Sequence, residues 1–198
     1  MPIPDKPSAS EAPARLLLLT GAPASGKSWL AAALVQRYRA RLCAKDEIKE
    51  LLFDAVGTGD AEHSRRLSDA SFAVLFAFLP RLLRPGGLLL LDGNFRRGTH
   101  EQALDRVLSG EAALLAQVCC HASLATRAAR LAARATDGTR HPGHGDGRSP
   151  AATVSGEDFL DLPGPRWAFD SDQPWEQALD ALASGLDSWG MPPRAADT

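Results

Sequence analysis

Gly21-Ala22-Pro23-Ala24-Ser25-Gly26-Lys27-Ser28 satisfies the P-loop pattern G-x-x-x-x-G-K-[ST] at every fixed position, and it constrains this chain more than any other stretch. Upstream, Arg15-Leu16-Leu17-Leu18-Leu19-Thr20 is a short apolar run suited to a strand buried on both faces. Downstream, Trp29 to Tyr38 reads as a helix with Leu30, Leu34 and Val35 on one side. Gly21 and Gly26 let the backbone curl so that successive N–H groups point at a phosphate, and the helix N-terminus adds its positive end. Residues 21 to 28, with Trp29 directly after them, are therefore the expected nucleotide-binding set. Lys27 would reach the β- and γ-phosphates, and the Ser28 hydroxyl would hold magnesium.

The remaining apolar runs fit an α/β chain. Ala40 to Ala44 reads as a second strand, and Lys45 to Phe53 as a helix with Asp46 at its N-cap. Asp46 follows a strand's carboxyl end, the edge where open parallel α/β sheets bind ligands. From the local residues it is equally a helix cap or a carboxylate that takes the proton of an attacking hydroxyl. Ala61 to Leu83 reads as a long helix that Pro80 should kink or split, its Phe-rich stripe facing the core. Leu88-Leu89-Leu90-Leu91-Asp92 then has the form of a Walker B strand, with Asp92 the expected magnesium ligand. Beside the P-loop strand, it would put Asn94, Arg96 and Arg97 at the substrate end of the crevice.

Thr99 to Leu108 reads as a helix capped by Thr99, Ala113 to Cys120 as a fourth strand, and Ser123 to Arg134 as a helix. That helix bears Arg127, Arg130 and Arg134 at spacings that group them, a pattern favouring a polyphosphate over an idle solvated face. Asp137 to Arg148 is too glycine-rich for regular structure and reads as a lid over about 135–150. Arg140, His141 and His144 are expected to contact substrate from it, a better fit than a metal site made of His141, His144 and Asp146. A short helix over 155–160, a last strand from Arg166 to Asp170 and a closing helix from Trp175 to Trp189 complete the chain.

At 198 residues the chain suits one domain, expected over 15–189, with a disordered arm at 1–14 and a flexible tail at 190–198. A formal net charge of -2 disfavours coating a long nucleic acid, although a local arginine cluster could grip a phosphate. Three cysteines, two of them adjacent, provide neither a disulfide framework nor a zinc spacing, and read as buried strand residues of a cytoplasmic protein. No apolar stretch approaches membrane-spanning length.

Taken in order, GAPASGKS at 21–28, KDEIKE at 45–50, LLLLDGNFR at 88–96, the helix with Arg130 and Arg134, and RHPGHGD at 140–146 resemble the small P-loop kinases called AAA-like predicted kinases. Polynucleotide kinase, zeta toxins, gluconate kinase and chloramphenicol phosphotransferase are relatives of that group. The resemblance implies a three-layer P-loop fold with a mostly parallel five-stranded sheet, helices on both faces and a mobile lid. It implies ATP and Mg2+ as cofactors, Asp46 as general base or orienter, and Lys27, Arg130 and Arg134 as catalytic cations. One lid arginine, Arg130, would border the adenine or ribose, as would Asp170 at the loop after the last strand. The sequence departs from the group at Trp29, where a Thr is frequent, and at Asp92, where relatives often carry Glu.

The expected activity is transfer of the γ-phosphoryl group of ATP to a hydroxyl of a small molecule or nucleic-acid end. Its rivals are an ATPase switch and a nucleotide-binding module without turnover. An Asn/Thr-Lys-x-Asp guanine signature is missing from the sequence, which counts against GTP.

Overall fold

The computed structural model describes residues 13–137, 141–144 and 159–190. Among these, five strands form one sheet: β1 (Arg15–Gly21), β2 (Arg41–Ala44), β3 (Leu88–Asp92), β4 (Leu114–His121) and β5 (Arg166–Asp170). Their spatial order is β2-β3-β1-β4-β5, and every pairing is parallel rather than mostly so. The described helices are α1 (Lys27–Tyr38), α2 (Lys45–Val56), α3 (Ala61–Leu83), α4 (Glu101–Glu111), α5 (Leu124–Asp137) and α6 (Trp175–Ser188).

Alternation along β1 sorts the core into two layers. Leu17 and Leu19 face one side with Leu30, Leu34, Phe169, Leu182 and Leu186, so α1 and α6 cover that face. Leu16 and Leu18 face the other with Phe72, Leu75, Leu79 and Leu104, so α3 and α4 cover the second. The fold is thus a three-layer α/β/α sandwich, and its central strands are largely apolar because neither face meets water, with the buried Gln117 of β4 satisfied by the Leu160 backbone.

Three local expectations give way to the structure. Pro80 does not split α3, because it lies within the last turns of a continuous helix that ends at Leu83. There Arg41, at the start of β2, donates to the carbonyls of Leu82 and Gly86 and supplies partners the ending helix lacks. Thr99 does not cap α4: the helix starts after His100, and Thr99 sits in a turn whose N–H groups are met by the Arg96 carbonyl. Asp46 is not an N-cap either. Ala44 holds that position without a side-chain cap, which puts Asp46 inside the first turn of α2.

The arm expected at 1–14 falls almost wholly outside the described residues, as does the tail beyond Gly190. So does the helix expected over 155–160 except for its last two residues, which are not helical. No described helix is long and apolar enough to cross a membrane.

Candidate active site

Register brings the site together. Leu19 of β1, Asp92 of β3 and Ala44 of β2 lie side by side. The residues that follow them, from Thr20-Gly21, Gly93-Asn94 and Lys45-Asp46, therefore emerge at one carboxyl edge of the sheet. This is the edge the motif spacing implied, now with three separate segments at one cleft.

Two backbone positions shape the phosphate end. Gly21 (φ 137°) and Gly26 (φ 97°) take left-handed conformations, with Ala24 (φ 62°) between them, and this alternation turns successive N–H groups inward. A side chain on Gly21 would also run into the Cys120 carbonyl of β4. Lys27 folds back, its ammonium donating to the carbonyls of Gly21 (2.8 Å) and Ala22 (3.0 Å). Although the residue is only half-buried by exposed area, burial of the ammonium lowers its pKa, opposed chiefly by Asp92.

Asp92 is the acidic counterpart. Burial lifts its carboxyl to about 6, Lys27 pulls it back down, and Asp46 pushes it up again. Its Oδ2 accepts from the Ser28 hydroxyl at 3.5 Å, while its buried Oδ1 has no hydrogen-bond partner among the described residues. A buried carboxylate with an unmet oxygen beside a P-loop hydroxyl suits a hard divalent cation, which needs one or two protein oxygens and takes the rest from phosphate and water. The residues present fit magnesium.

The side of the cleft opposite the P-loop is built from α2, α3 and the β3–α4 loop. The cleft of about 320 Å³ is lined by the P-loop together with Lys45, Asp46, Lys49, Ser64, Arg65, Ser68, Asp69, Asn94, Arg96 and Arg134. Asp46 is exposed to this cleft, close enough to Asp92 and Lys27 to perturb both, and its Oδ1 faces the Lys45 ammonium at 3.3 Å. Gly93 N–H donates to the Leu19 carbonyl, and His100 Nδ1 accepts from Arg96 N–H at 2.8 Å, which fixes the loop carrying Asn94 and Arg96. Burial pushes the pKa of His100 down, which favours the neutral imidazole this acceptor role requires.

The arginine helix divides by role. Arg134 lines the cleft and is near enough to lower the Lys27 pKa. Arg127, expected to join a polyphosphate face, is instead buried, its Nε donating to the Pro23 carbonyl at 3.0 Å. Arg130 donates to the Ala24 carbonyl and to both the hydroxyl and carbonyl of Ser171. These two side chains brace the outer wall of the P-loop, because its inward-curled N–H groups leave carbonyls pointing out.

Other expected residues sit elsewhere. Trp29 is half-exposed on α1 with its ring edge against Trp175, and Arg97 is exposed beyond the cleft lining. Asp170 accepts from Asp172 N–H and Gln173 Nε2, shaping the turn before α6 outside the cleft. His141 stacks on Phe53 and places Nε2 3.0 Å from Asp54 Oδ1, so the short 3-10 turn Pro142–His144 docks at the far end of α2. Arg140, Asp146 and the side chain of His144 lie outside the described residues. The cysteines are buried or half-buried and free, and burial lifts the Cys120 thiol to about 12, which removes it from chemistry.

Sequence reasoning missed Lys45 and Lys49, and it took the segment 61–84 as shaping the acceptor pocket without singling out Ser64, Arg65, Ser68 or Asp69. Their signal was present as helical spacing: Lys45 and Lys49 are four apart, and 64, 65, 68 and 69 form a polar stripe on α3.

Comparison with known proteins agrees with this architecture. A family model described as an AAA domain (AAA_33) matches residues 16–146. A candidate kinase from Chloroflexus aurantiacus J-10-fl is 30% identical with a TM-score of 0.79, over 89% of this chain and 98% of that one. A sugar kinase from Janibacter sp. HTCC2649 (14% identity, TM-score 0.59, 88% and 95% covered) shares the fold. So does the APS kinase of Mycobacterium tuberculosis, solved with AMPPNP and APS (15%, 0.58, 89% and 99%). No curated protein matches the chain.

Proposed function

The chain belongs to this AAA-domain family of P-loop kinase-like proteins, and from that premise we propose that it transfers the γ-phosphoryl group of ATP to a hydroxyl of a small molecule. The observation that carries the reading is Asp46, which shares one cleft with Lys27, Ser28, Asp92 and Arg134 instead of capping its helix. The APS kinase of similar fold was solved with an ATP analogue and its acceptor, which supports nucleotide use by a cleft of this form.

In this reading, incoming phosphate draws the Lys27 ammonium away from the Gly21 and Ala22 carbonyls, and the curled N–H groups hold the β-phosphate. Ser28 and Asp92 would hold magnesium, which would supply positive charge to offset that of the phosphates. The acceptor oxygen attacks the γ-phosphorus, and the bond to the β–γ bridging oxygen breaks with its electron pair leaving on ADP. The acceptor's proton passes to Asp46. Lys27 and Arg134 offset charge on the transferring group, and positioning supplies most of the acceleration. Arg130 serves by holding the P-loop, with the nucleotide base passing outside its brace. The turn Pro142–His144, docked on α2 beside His141, supports the reading of 135–150 as a lid within a single domain over 15–189 of a cytoplasmic enzyme.

The test is ADP release from ATP and magnesium by wild type and Asp46→Asn, with and without a panel of hydroxyl acceptors. Acceptor-dependent release that the variant loses is expected. Release that ignores every acceptor and survives the substitution would instead mark an ATPase, and nucleotide binding without ADP a regulatory module.

A further inference from the structure

We propose that Lys45 is a positioning residue for Asp46: its buried ammonium holds the carboxylate on the side of the cleft opposite the P-loop, and keeps it there when nucleotide draws Lys27 away. The inference rests on the kinase reading of the same cleft. Lys45 carries a charge that its own surroundings disfavour. It opens α2, where the helix dipole suits Asp46 and Glu47 but opposes a cation. The residue is 2% exposed, so its ammonium has also shed most of its water. Packing does not require the charge. The ammonium stands 5.6 Å from the centroid of the Phe72 ring, and a Cβ on Gly93 would meet the Lys45 Cβ at 3.4 Å, contacts that a methionine of similar volume would keep. Among the described residues, what answers the charge is Asp46 Oδ1 at 3.3 Å.

Asp46 is the opposite case. Its side chain is 61% exposed on the first turn of α2, where a change of χ1 rotamer would aim it at the cleft or at solvent. Successive residues on a helix do not face one another, so the contact comes from the reach of the lysine and not from helix spacing. An ion pair between two exposed side chains gains little because both must be ordered, but here burial has already ordered the lysine, and only the shorter partner is left to fix. Two ammonium groups attract Asp46: Lys45, and Lys27, which lies near enough for Asp46 to raise its pKa. When phosphate arrives and Lys27 moves to it, a carboxylate without a second anchor would follow that ammonium and set negative charge beside the transferring group. Lys45, fixed between Phe72 and Gly93, keeps the carboxylate where an acceptor hydroxyl can meet it.

Lys45→Met, which keeps the stem and removes the charge, is the test, and Lys45→Gln repeats it should the thioether not be accommodated. Crystals of wild type and variant with AMPPNP and magnesium need no acceptor. Asp46 Oδ1 should stay on the Lys45 ammonium in wild type, and the carboxylate should swing away or split between rotamers in the variant. An Asp46 that keeps its place in the variant, or leaves Lys45 in wild type, overturns the inference. Next, ADP release is followed with whichever of ribose, glycerol, glucose and adenosine wild type uses, in both single variants and in Lys45→Met combined with Asp46→Asn. Lys45→Met should lower kcat by about tenfold or more through misplacement alone, with KM for ATP within about twofold of wild type. Its melting temperature should be no lower than that of wild type. In the Asp46→Asn background the same change should cost nothing further, since a residue that acts through another then has nothing to act on. Losses that multiply in the double variant, or a melting temperature that falls with the rate, overturn the inference. Release lost in Asp46→Asn but kept in Lys45→Met removes the role of Lys45 and leaves the kinase. Release that survives Asp46→Asn removes the kinase reading, and the crystals still decide whether Lys45 holds the carboxylate.

Discussion

The two ends of the cleft are made of different materials. The phosphate end is backbone: eight consecutive residues whose conformation, set by Gly21 and Gly26, aims N–H groups that any side chain in between could accompany. The acceptor end is side chains: Lys45, Lys49, Arg65, Asn94 and Arg96 come from two helices and a loop, spread over some fifty positions. Backbone recognition is generic and fits one ligand fragment shared by many proteins. Side-chain recognition is particular, and here it is basic where the chain as a whole is slightly acidic. Chemistry common to relatives should therefore reside at the first end and selectivity at the second.

Substitutions can break that division. Lys27→Ala should be the most severe, lowering phosphoryl transfer about 10³-fold or more, because it removes both a phosphate contact and a charge that strengthens in the transition state. Its thermal unfolding should stay near wild type, since among the described residues the Lys27 ammonium donates to the P-loop carbonyls of Gly21 and Ala22. Transfer near the wild-type rate would end the assignment of the phosphate end.

Asp46→Asn should lower transfer about 10²-fold, the lower range for a positioned base, with AMPPNP affinity kept because the residue lies on the acceptor side. Loss of analogue binding instead would merge the two ends into one.

Asp92→Asn separates stability from activity. The folded carboxyl is raised to about 6, so its contribution to stability is full below the unfolded value near 3.8 and is lost as pH rises through 6. At pH 8 without nucleotide the variant should then be more stable than wild type, by at most about 3 kcal/mol from a shift of roughly two units. That advantage should fade towards pH 4 and disappear with magnesium and ATP, as seen by melting temperature. A destabilised variant at pH 8 would show that the carboxylate is already compensated.

Gly143→Val tests the smallest effect, the docking of the turn Pro142–His144 on α2. A side chain there would run into the Phe53 ring, so the turn must lift from α2. Hydrolysis of ATP without acceptor should rise relative to transfer by about tenfold, through entry of water. An unchanged ratio would confine His141 and Gly143 to a structural role.

The uneven legibility of the site follows from the same contrast. β3 is read from sequence at its true bounds because a strand buried on both faces is apolar almost without interruption, whereas β5, an edge strand fully buried only at Phe169, is delimited by the turn residues that flank it. The P-loop is legible because its spacing is local. By contrast, Asp46 has the same residue type and helix-start position whether it caps or faces a ligand, and only its place in α2 separates the two. Arg127 misleads for a related reason: an arginine serves a phosphate and a backbone carbonyl with the same donors.

The sequence by itself determined the α/β alternation, the phosphate cradle, and the acidic residue ending the strand beside it, since each depends on residues adjacent in the chain. The tertiary structure decided which side chains meet. The parallel register of β1, β3 and β2 aligns Leu19, Asp92 and Ala44, and the packing of α3 on α2 turns its polar stripe towards Lys49. Contacts between residues far apart in sequence depend on register and packing angle, which no local pattern encodes. For that reason the nucleotide end could be read before the fold was known, and the charge of the acceptor pocket only after.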